Sequence, residues 1–371
     1  MKDPELMMES NGIARAMRAL SPLLKPLGAV VLAAVFISVV LFGLGAPPLG
    51  VFAALAEGAF GNWLALTDTI VKATPLVFTG LAVSLAFSGA LWNIGADGQL
   101  IVGAIAAGGL GPHLSGCPRP LAIAIVLAAG ALGGAAWGAI AGWLRARREV
   151  NEVISTIMLN FVAAQALSWV VHGPLMETSG AYPQSAPIAD SARMYMFVAP
   201  SRLNFGMIVA VIFAAGCYVL LYRTALGFEL RAMGRNRRAA AFFGIPIARL
   251  TIVIMALSGA LAGLGGAVQI SAISHRLYEK LSPGWGFEAI AVALVGRLNP
   301  LGILATALFF GALDNGSQAM QRAHGVSPVL VQVIQGMVIL ILLAFDTPAL
   351  RNVAAGFAPA VPDAVAVAPD V

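Results

Sequence analysis

Apolar residues along most of this chain run in long blocks; they neither alternate nor recur on one helical face. Blocks of roughly 20 apolar residues match the hydrocarbon thickness of a bilayer at helical rise. Ten spans are predicted on this criterion, near 27–46, 69–88, 90–111, 121–144, 153–172, 205–222, 250–270, 284–297, 300–320 and 328–346. The eighth is short for a straight crossing and is predicted to be re-entrant or broken, since irregular backbone at that depth survives only inside protein or beside water. The first span follows a polar tail, 1–26, carrying Lys2, Arg15, Arg18 and Lys25. It reads as an uncleaved helix, because a cleavable signal starts closer to the terminus and has a shorter apolar region. The Pro-containing segment 173–204 reads as an ordered loop or short helix between spans, and the Ala/Pro-rich stretch 347–371 as a flexible tail. The expected fold is all-α: a polytopic membrane protein with one transmembrane domain, 27–346.

Composition agrees with this reading. Hydrophobic residues make up 59% of the chain and charged residues 11%, against about 25% charged in ordinary soluble domains. A soluble surface cannot be assembled from so few charges. The net charge of +5 does not point to nucleic acid, because the basic residues are scattered between apolar spans and form no single patch. With both termini on the cytoplasmic side, fifteen of the 22 Lys and Arg fall inside and seven outside, as the positive-inside rule requires. The inside set includes Arg145, Arg147 and Arg148, then Arg223, Arg231, Arg235, Arg237, Arg238 and Arg249, so 223–249 is predicted to be a cytoplasmic loop. Cys117 and Cys217 form neither a framework nor a metal spacing.

Small residues at four-residue spacing, Gly134, Gly138 and Gly142 and again Ser258, Ala262 and Gly266, predict faces where helix backbones approach closely in lipid. The similar Gly-rich character of spans 2–3 and 7–8 allows an inverted repeat.

Four groups of polar residues interrupt the apolar background, the third of them spread over the eighth to tenth spans. In Leu91–Gln99, Trp92, Asn93, Asp97 and Gln99 lie among glycines. This segment either breaks a helix and offers its backbone to a passing solute, or turns the chain at the membrane boundary. Asn151 and Glu152 suit the start of the fifth span as an N-cap and a dipole partner, and Asn160 lies about two turns deeper. Phe287 and Glu288 fall in the short eighth segment, Asp314, Asn315 and Gln318 in the ninth, and Gln332 and Gln335 share a face of the tenth. Each of these could simply join helices. Together, Asn and Gln suit a polar, mostly uncharged solute with donors and acceptors, walled by Trp92 or Phe287. The fourth group is the basic element Gly234, Arg235, Asn236, Arg237, Arg238, Ala239, Ala240, Ala241, Phe242, Phe243, Gly244, Ile245. No P-loop is present, since none of the four lysines, Lys2, Lys25, Lys72 and Lys280, follows a glycine. The histidines lack ligand spacing, and no nucleophile motif occurs, which argues against an enzyme.

The segments Asn93–Gln99, Asn151–Asn160, Gly234–Ile245 and Gly286–Pro300, in this order, resemble the permease subunit of bacterial ABC importers of the branched-chain amino acid and simple sugar family. The first two are most similar to its purine-nucleoside branch, in which Glu is frequent where this chain has Asp97. The resemblance implies a partner ATPase using ATP and Mg, a second permease (identical or paralogous), a solute-binding lipoprotein or periplasmic protein, and no cofactor in this chain. It also implies a bacterial inner-membrane location and ATPase docking at Gly234–Ile245. The competing readings are a proton- or sodium-coupled transporter using Asp97 or Glu288, an ABC importer of a simple sugar, and a channel or structural membrane protein.

Overall fold

The computed structural model describes Gly28 and residues 31–43, 45–180, 182–197 and 200–345; the predicted tails 1–26 and 347–371 lie outside them. Two units are distinguished, residues 46–331 and a smaller one made of 1–45 with 332–371.

In the smaller unit, helix α1 (Val31–Gly43) buries Ala33, Ile37 and Leu41 and exposes Val35, Phe36, Val39 and Phe42. One stripe at four-residue spacing is covered while the rest of the helix stays apolar and open, the pattern of a helix with lipid on its other faces.

The larger unit begins with α2 (Pro48–Phe60), a helix absent from the ten predicted spans. At 13 residues it is shorter than the span criterion, and Pro47, Pro48 and the glycines around it read as loop. After it come α3 (Trp63–Ser88), α4 (Ala96–Leu110), α5 (Arg119–Arg148), α6 (Glu152–His172), α7 (Gly206–Arg223), the short pair α8 (Ala225–Arg235) and α9 (Arg237–Phe242), α10 (Ile247–Gln269), α11 (Trp285–Val295) and α12 (Pro300–His324). A last helix, α13 (Val329–Phe345), leads into the smaller unit. All ten predicted spans are therefore helical. Among the described residues five helices, α3, α5, α6, α7 and α10, are long and apolar enough to cross a membrane. The predicted third span, 90–111, starts only at Ala96 and is as broken as the eighth.

Packing fixes the directions. Going along α5 from Gly130 through Gly134 and Gly138 to Gly142, the partners on α10 run from Ala267 through Gly263 and Gly259 to Ile252, so the two helices are antiparallel. A methyl group on Gly134 would collide with the Gly259 carbonyl, and one on Gly259 with the Gly134 carbonyl. Glycine is required on both sides because the backbones themselves are in contact. The Gly134–Gly138–Gly142 face does what its spacing predicts. The Ser258–Ala262–Gly266 face turns instead to α3 and α4: the Ser258 hydroxyl donates to Ala82 O, and a methyl on Gly266 would strike Leu100 O.

At the end remote from α8 and α9, the described residues between 176 and 205 form a connection with isolated bridges and a short 3-10 turn at Asp190–Ala192. The loop is pinned to the π-helical end of α10 (Ile270–Ser274), where Met194 N donates to Ser271 O and Ser271 Oγ donates to Ala192 O. Arg276 pairs with Glu177 at 3.2 Å, and hydrogen bonds from Gln184 and Ser179 hold the Glu177 carboxyl below its ordinary pKa.

Gly134→Ala should separate α5 from α10 and destabilise the fold by about 1–3 kcal/mol, the usual cost of overpacking, read as a lower unfolding temperature in detergent. Gly216→Ala on α7, where nothing lies within 4 Å of the new methyl, should leave that temperature unchanged.

Candidate functional site

Glycine and a left-handed Ala90 (φ 53°) end α3 at Ser88 and fold the chain back into the interior as the extended stretch 91–95. This stretch cannot pair as helix or sheet, and water is excluded from hydrocarbon, so its backbone must find side-chain partners. Three predicted residues supply them. Asn160 Nδ2 donates to Ile94 O at 2.9 Å while its Oδ1 accepts from Gly98 N at 2.8 Å. Asn93 Oδ1 accepts from Gly95 N, and its Nδ2 donates to Gln99 Oε1 at 2.9 Å and Ser258 Oγ at 2.8 Å. Gln99 Nε2 returns a bond to Asn93 Oδ1 at 3.2 Å. All three amides are buried and bonded within the protein.

The second break lies between α10 and α11. The π turn of α10 closes with His275 N donating to Ile270 O. The chain then runs inward to Ser282 and starts α11 beside the first turn of α4. Asp97 joins the two helices: its Oδ1 accepts from Ser282 Oγ at 2.7 Å and from Gly286 N at 3.0 Å. Ser282 Oγ in turn accepts from Gly284 N and Trp285 N. Asp97 thus sits in the first turn of its own helix and caps the start of another. Two positive helix ends face one carboxylate, the arrangement that stabilises a negative charge away from water. No side chain fits at Gly286, since a methyl there would strike the Asp97 backbone. From this junction α4 runs toward the 173–205 end, where Gly108 meets Leu277 and Gly111 meets Ile188. Helix α11 runs the opposite way, and Ser84 Oγ receives its exit by donating to Leu298 O at 2.7 Å. The pair α10–α11 accordingly runs in the opposite direction to the pair α3–α4.

Glu288, one turn into α11, is half-buried, has no hydrogen bond among the described residues, and lies within electrostatic reach of Asp314, Asp97 and Lys72. Lys72 Nζ binds Asp314 Oδ2 at 3.0 Å. Lys72 was not singled out by the sequence reading, although a lone lysine inside an apolar span is itself a signal. Asn315 is spent on Gly58 O, Ala65 O and Thr69 Oγ1. Trp92 packs against Phe87 with the rings tilted by 60° and is half exposed, as is Phe287. Gln332 and Gln335 lie on α13, the first exposed and the second buried. The Asn151 side chain caps α6 through Val153 N, and Glu152 binds Arg145 at 3.0 Å.

The basic element is two helices. Asn236 is extended between them, and its Oδ1 caps α9 by accepting from Ala239 N. Gly234 rests against the Ser88 carbonyl, where a methyl would clash, and Gly244 takes the left-handed turn (φ 84°) that lets Ile245 N bond Ala240 O. Ala240 is buried, Ala239 and Ile245 are half-buried, and Arg235, Asn236, Arg237 and Arg238 are exposed. Beyond them project Phe242 and Phe243, 87% and 81% exposed. Neither phenylalanine is among the site residues that the sequence predicts. Their signal was an aromatic pair between alanines and a glycine in a basic segment.

An all-α membrane bundle with two interior helix breaks and a protruding basic helix pair is the architecture of a transport protein. Residues 65–343 match the family described as branched-chain amino acid transport system / permease component, and the chain belongs to it. It is 34% identical to a glucose ABC transporter permease protein of Haloferax volcanii, over 83% of each chain. It is 33% identical to a guanosine ABC transporter permease protein of Bacillus subtilis, over 91% of this chain and 97% of that one. A nucleoside ABC transporter permease protein of Lactococcus lactis shares 32% identity over 86% and 90% of the two chains. No solved structure matches. The protein is thus a multi-pass ABC importer permease, a transport component and not an enzyme, of a family that works with ATPase and binding-protein partners.

Asp97→Leu should cost about 1–3 kcal/mol by stranding the buried Gly286 amide, seen as a lower unfolding temperature in detergent. Asp97→Asn keeps an acceptor and should retain most of that stability. Asn160→Leu, which strands both Ile94 O and Gly98 N, should behave like Asp97→Leu.

Proposed function

We propose that the chain carries a purine nucleoside across a bacterial inner membrane, driven by a separate ATPase that docks on α8 and α9 and supplied by a solute-binding protein at the opposite face. The observation that carries this reading is the α8–α9 junction: Arg235 at the end of α8, Arg237 and Arg238 at the start of the Asn236-capped six-residue α9, and Phe242 and Phe243 at its end are all exposed. Exposed aromatics beside arginine are the composition of an interface core, and a free surface gains nothing from them. Charge sets the orientation. Arg145, Arg147 and Arg148 end α5 at the same end as α8 and α9, so that end is cytoplasmic under the positive-inside rule. Closure of an ATPase dimer that uses ATP and Mg would push α9. Through α8, Gly234 bears on Ser88 at the end of α3, next to the first break.

The nucleoside assignment is supported by the two relatives named for guanosine or nucleosides, which match over nearly their whole length. A simple sugar is the second reading, favoured by the Haloferax relative. A cation-coupled mechanism gains no support from Asp97, whose carboxylate is held by two helix starts.

Reconstituted alone, this subunit should neither hydrolyse ATP nor accumulate solute. With its ATPase and binding protein it should accumulate labelled guanosine in preference to glucose. Accumulation by the subunit alone that a protonophore abolishes would contradict this. Arg235→Glu with Arg238→Glu, or Phe242→Ala with Phe243→Ala, should leave folding intact and reduce uptake at least about tenfold, the loss of about 1.4 kcal/mol or more of coupling. Loss of ATPase co-purification would place the defect at docking.

A further inference from the structure

Two charged helix faces meet in the larger unit without covering each other. On α3, Asp68 and Lys72 are one turn apart; on the antiparallel α12, Asp314, Gln318 and Arg322 follow at four-residue spacing. The Lys72–Asp314 pair joins the two faces, with the Lys72 side chain 24% and that of Asp314 47% exposed. Lys72 lies about 14 Å from the start of α3 and Asp314 about 15 Å from the end of α12 at helical rise, well within the hydrocarbon depth. An exposed charge at that depth is costly against lipid, so this face needs water or protein against it. Toward the 173–205 end, the stripe opens into a cavity of about 400 Å³ lined by Asp68, Asn315, Gln318 and Arg322 among others. Toward the middle, Lys72 and Asp314 lie within electrostatic reach of Glu288, which has no hydrogen bond among the described residues.

We infer that this stripe, and not the Asn93–Gln99–Asn160 network, is the wetted wall along which solute passes, with the cavity as its outer mouth and Glu288 as its inner polar contact. The amides of Asn93, Gln99 and Asn160 are hydrogen-bonded inside the protein, whereas Gln318 is exposed and Glu288 has no hydrogen bond among the described residues. The cavity offers carboxylate, amide and guanidinium groups together, which suits a neutral solute bearing hydroxyl donors and ring acceptors. A carboxylate such as Glu288 accepts hydrogen bonds from sugar hydroxyls, and its half-buried position keeps those bonds strong. This rests on the importer reading and adds the route to it.

The test uses the full complex in proteoliposomes, with Cys117→Ser and Cys217→Ala as background. Gln318→Cys should react with a membrane-impermeant methanethiosulfonate reagent, and guanosine should slow that reaction several-fold. Ile212→Cys on the exposed apolar side of α7 should not react. Glu288→Leu should reduce the initial rate of guanosine uptake at least tenfold, and Glu288→Gln, which keeps one acceptor, should lie between it and the parent. If the parent complex transports guanosine while Gln318→Cys is unreactive, a second chain or lipid covers the stripe, and the assignment fails. It fails equally if guanosine gives no protection, or if Glu288→Leu transports at the parent rate. If the parent complex shows no ATP-dependent guanosine uptake, the nucleoside reading itself fails, and this assignment with it.

Discussion

Hydrocarbon offers no hydrogen bonds, so every backbone amide and carbonyl at membrane depth must be satisfied by the chain itself. In most of this protein helix formation meets that demand locally. At two places, 89–95 and 275–284, the helix is interrupted, and the rest of the bundle is arranged around supplying what the helix no longer does. Asn93, Gln99, Thr156, Asn160 and Ser258 serve the first break, and Asp97 with Ser282 serves the second. The two repairs share α4, whose first turn carries both Asp97 and Gln99.

That shared helix explains why the glycine faces are needed. For Asn93 to reach Ser258 and for Gly98 to bond Asn160, α4 must lie close to both α10 and α6. Gly103 and Gly263 permit the first approach, with backbone against backbone, and Gly98 permits the second against Asn160 and the Leu159 carbonyl. Close approach by small residues is the main attraction open to helices in lipid, where apolar side chains gain nothing by leaving one another for solvent. The α5–α10 seam is a scaffold in this sense: it fixes α10, and α10 fixes the breaks.

In the importer reading the same geometry links both ends. The α8–α9 pair stands on the last turn of α3 through Gly234 and Ser88. The break that follows is held by side-chain hydrogen bonds, which rearrange at smaller cost than a continuous helix. A displacement at α9 therefore arrives where the interior is held by discrete bonds rather than by a helical ladder. The charged stripe on α3 and α12 lies along the other part of α3, so one helix borders the docking end, the first break and the proposed route.

The sequence by itself determined the membrane class, the positions of ten helices, the glycine seam of α5 and the basic element, because each depends on local composition, spacing or charge. It also marked the polar residues that had to matter, since a polar side chain inside an apolar block is costly wherever it points. Only the tertiary structure decided what each of them does. Asn93, Gln99 and Asn160 read alike as solute ligands or helix joints, and the partners that engage them, Ile94 O, Gly98 N and Ser258 Oγ, come from the folded-back chain and from distant helices. Asp97 reads equally as part of a helix break or of a boundary turn, and what decides its role is α11, which starts against it 189 positions along the chain. The short helix α2, the pairing of Lys72 with Asp314 and the exposure of Phe242 and Phe243 were likewise hidden, because side-chain exposure and long-range pairing are properties of packing that no local pattern records.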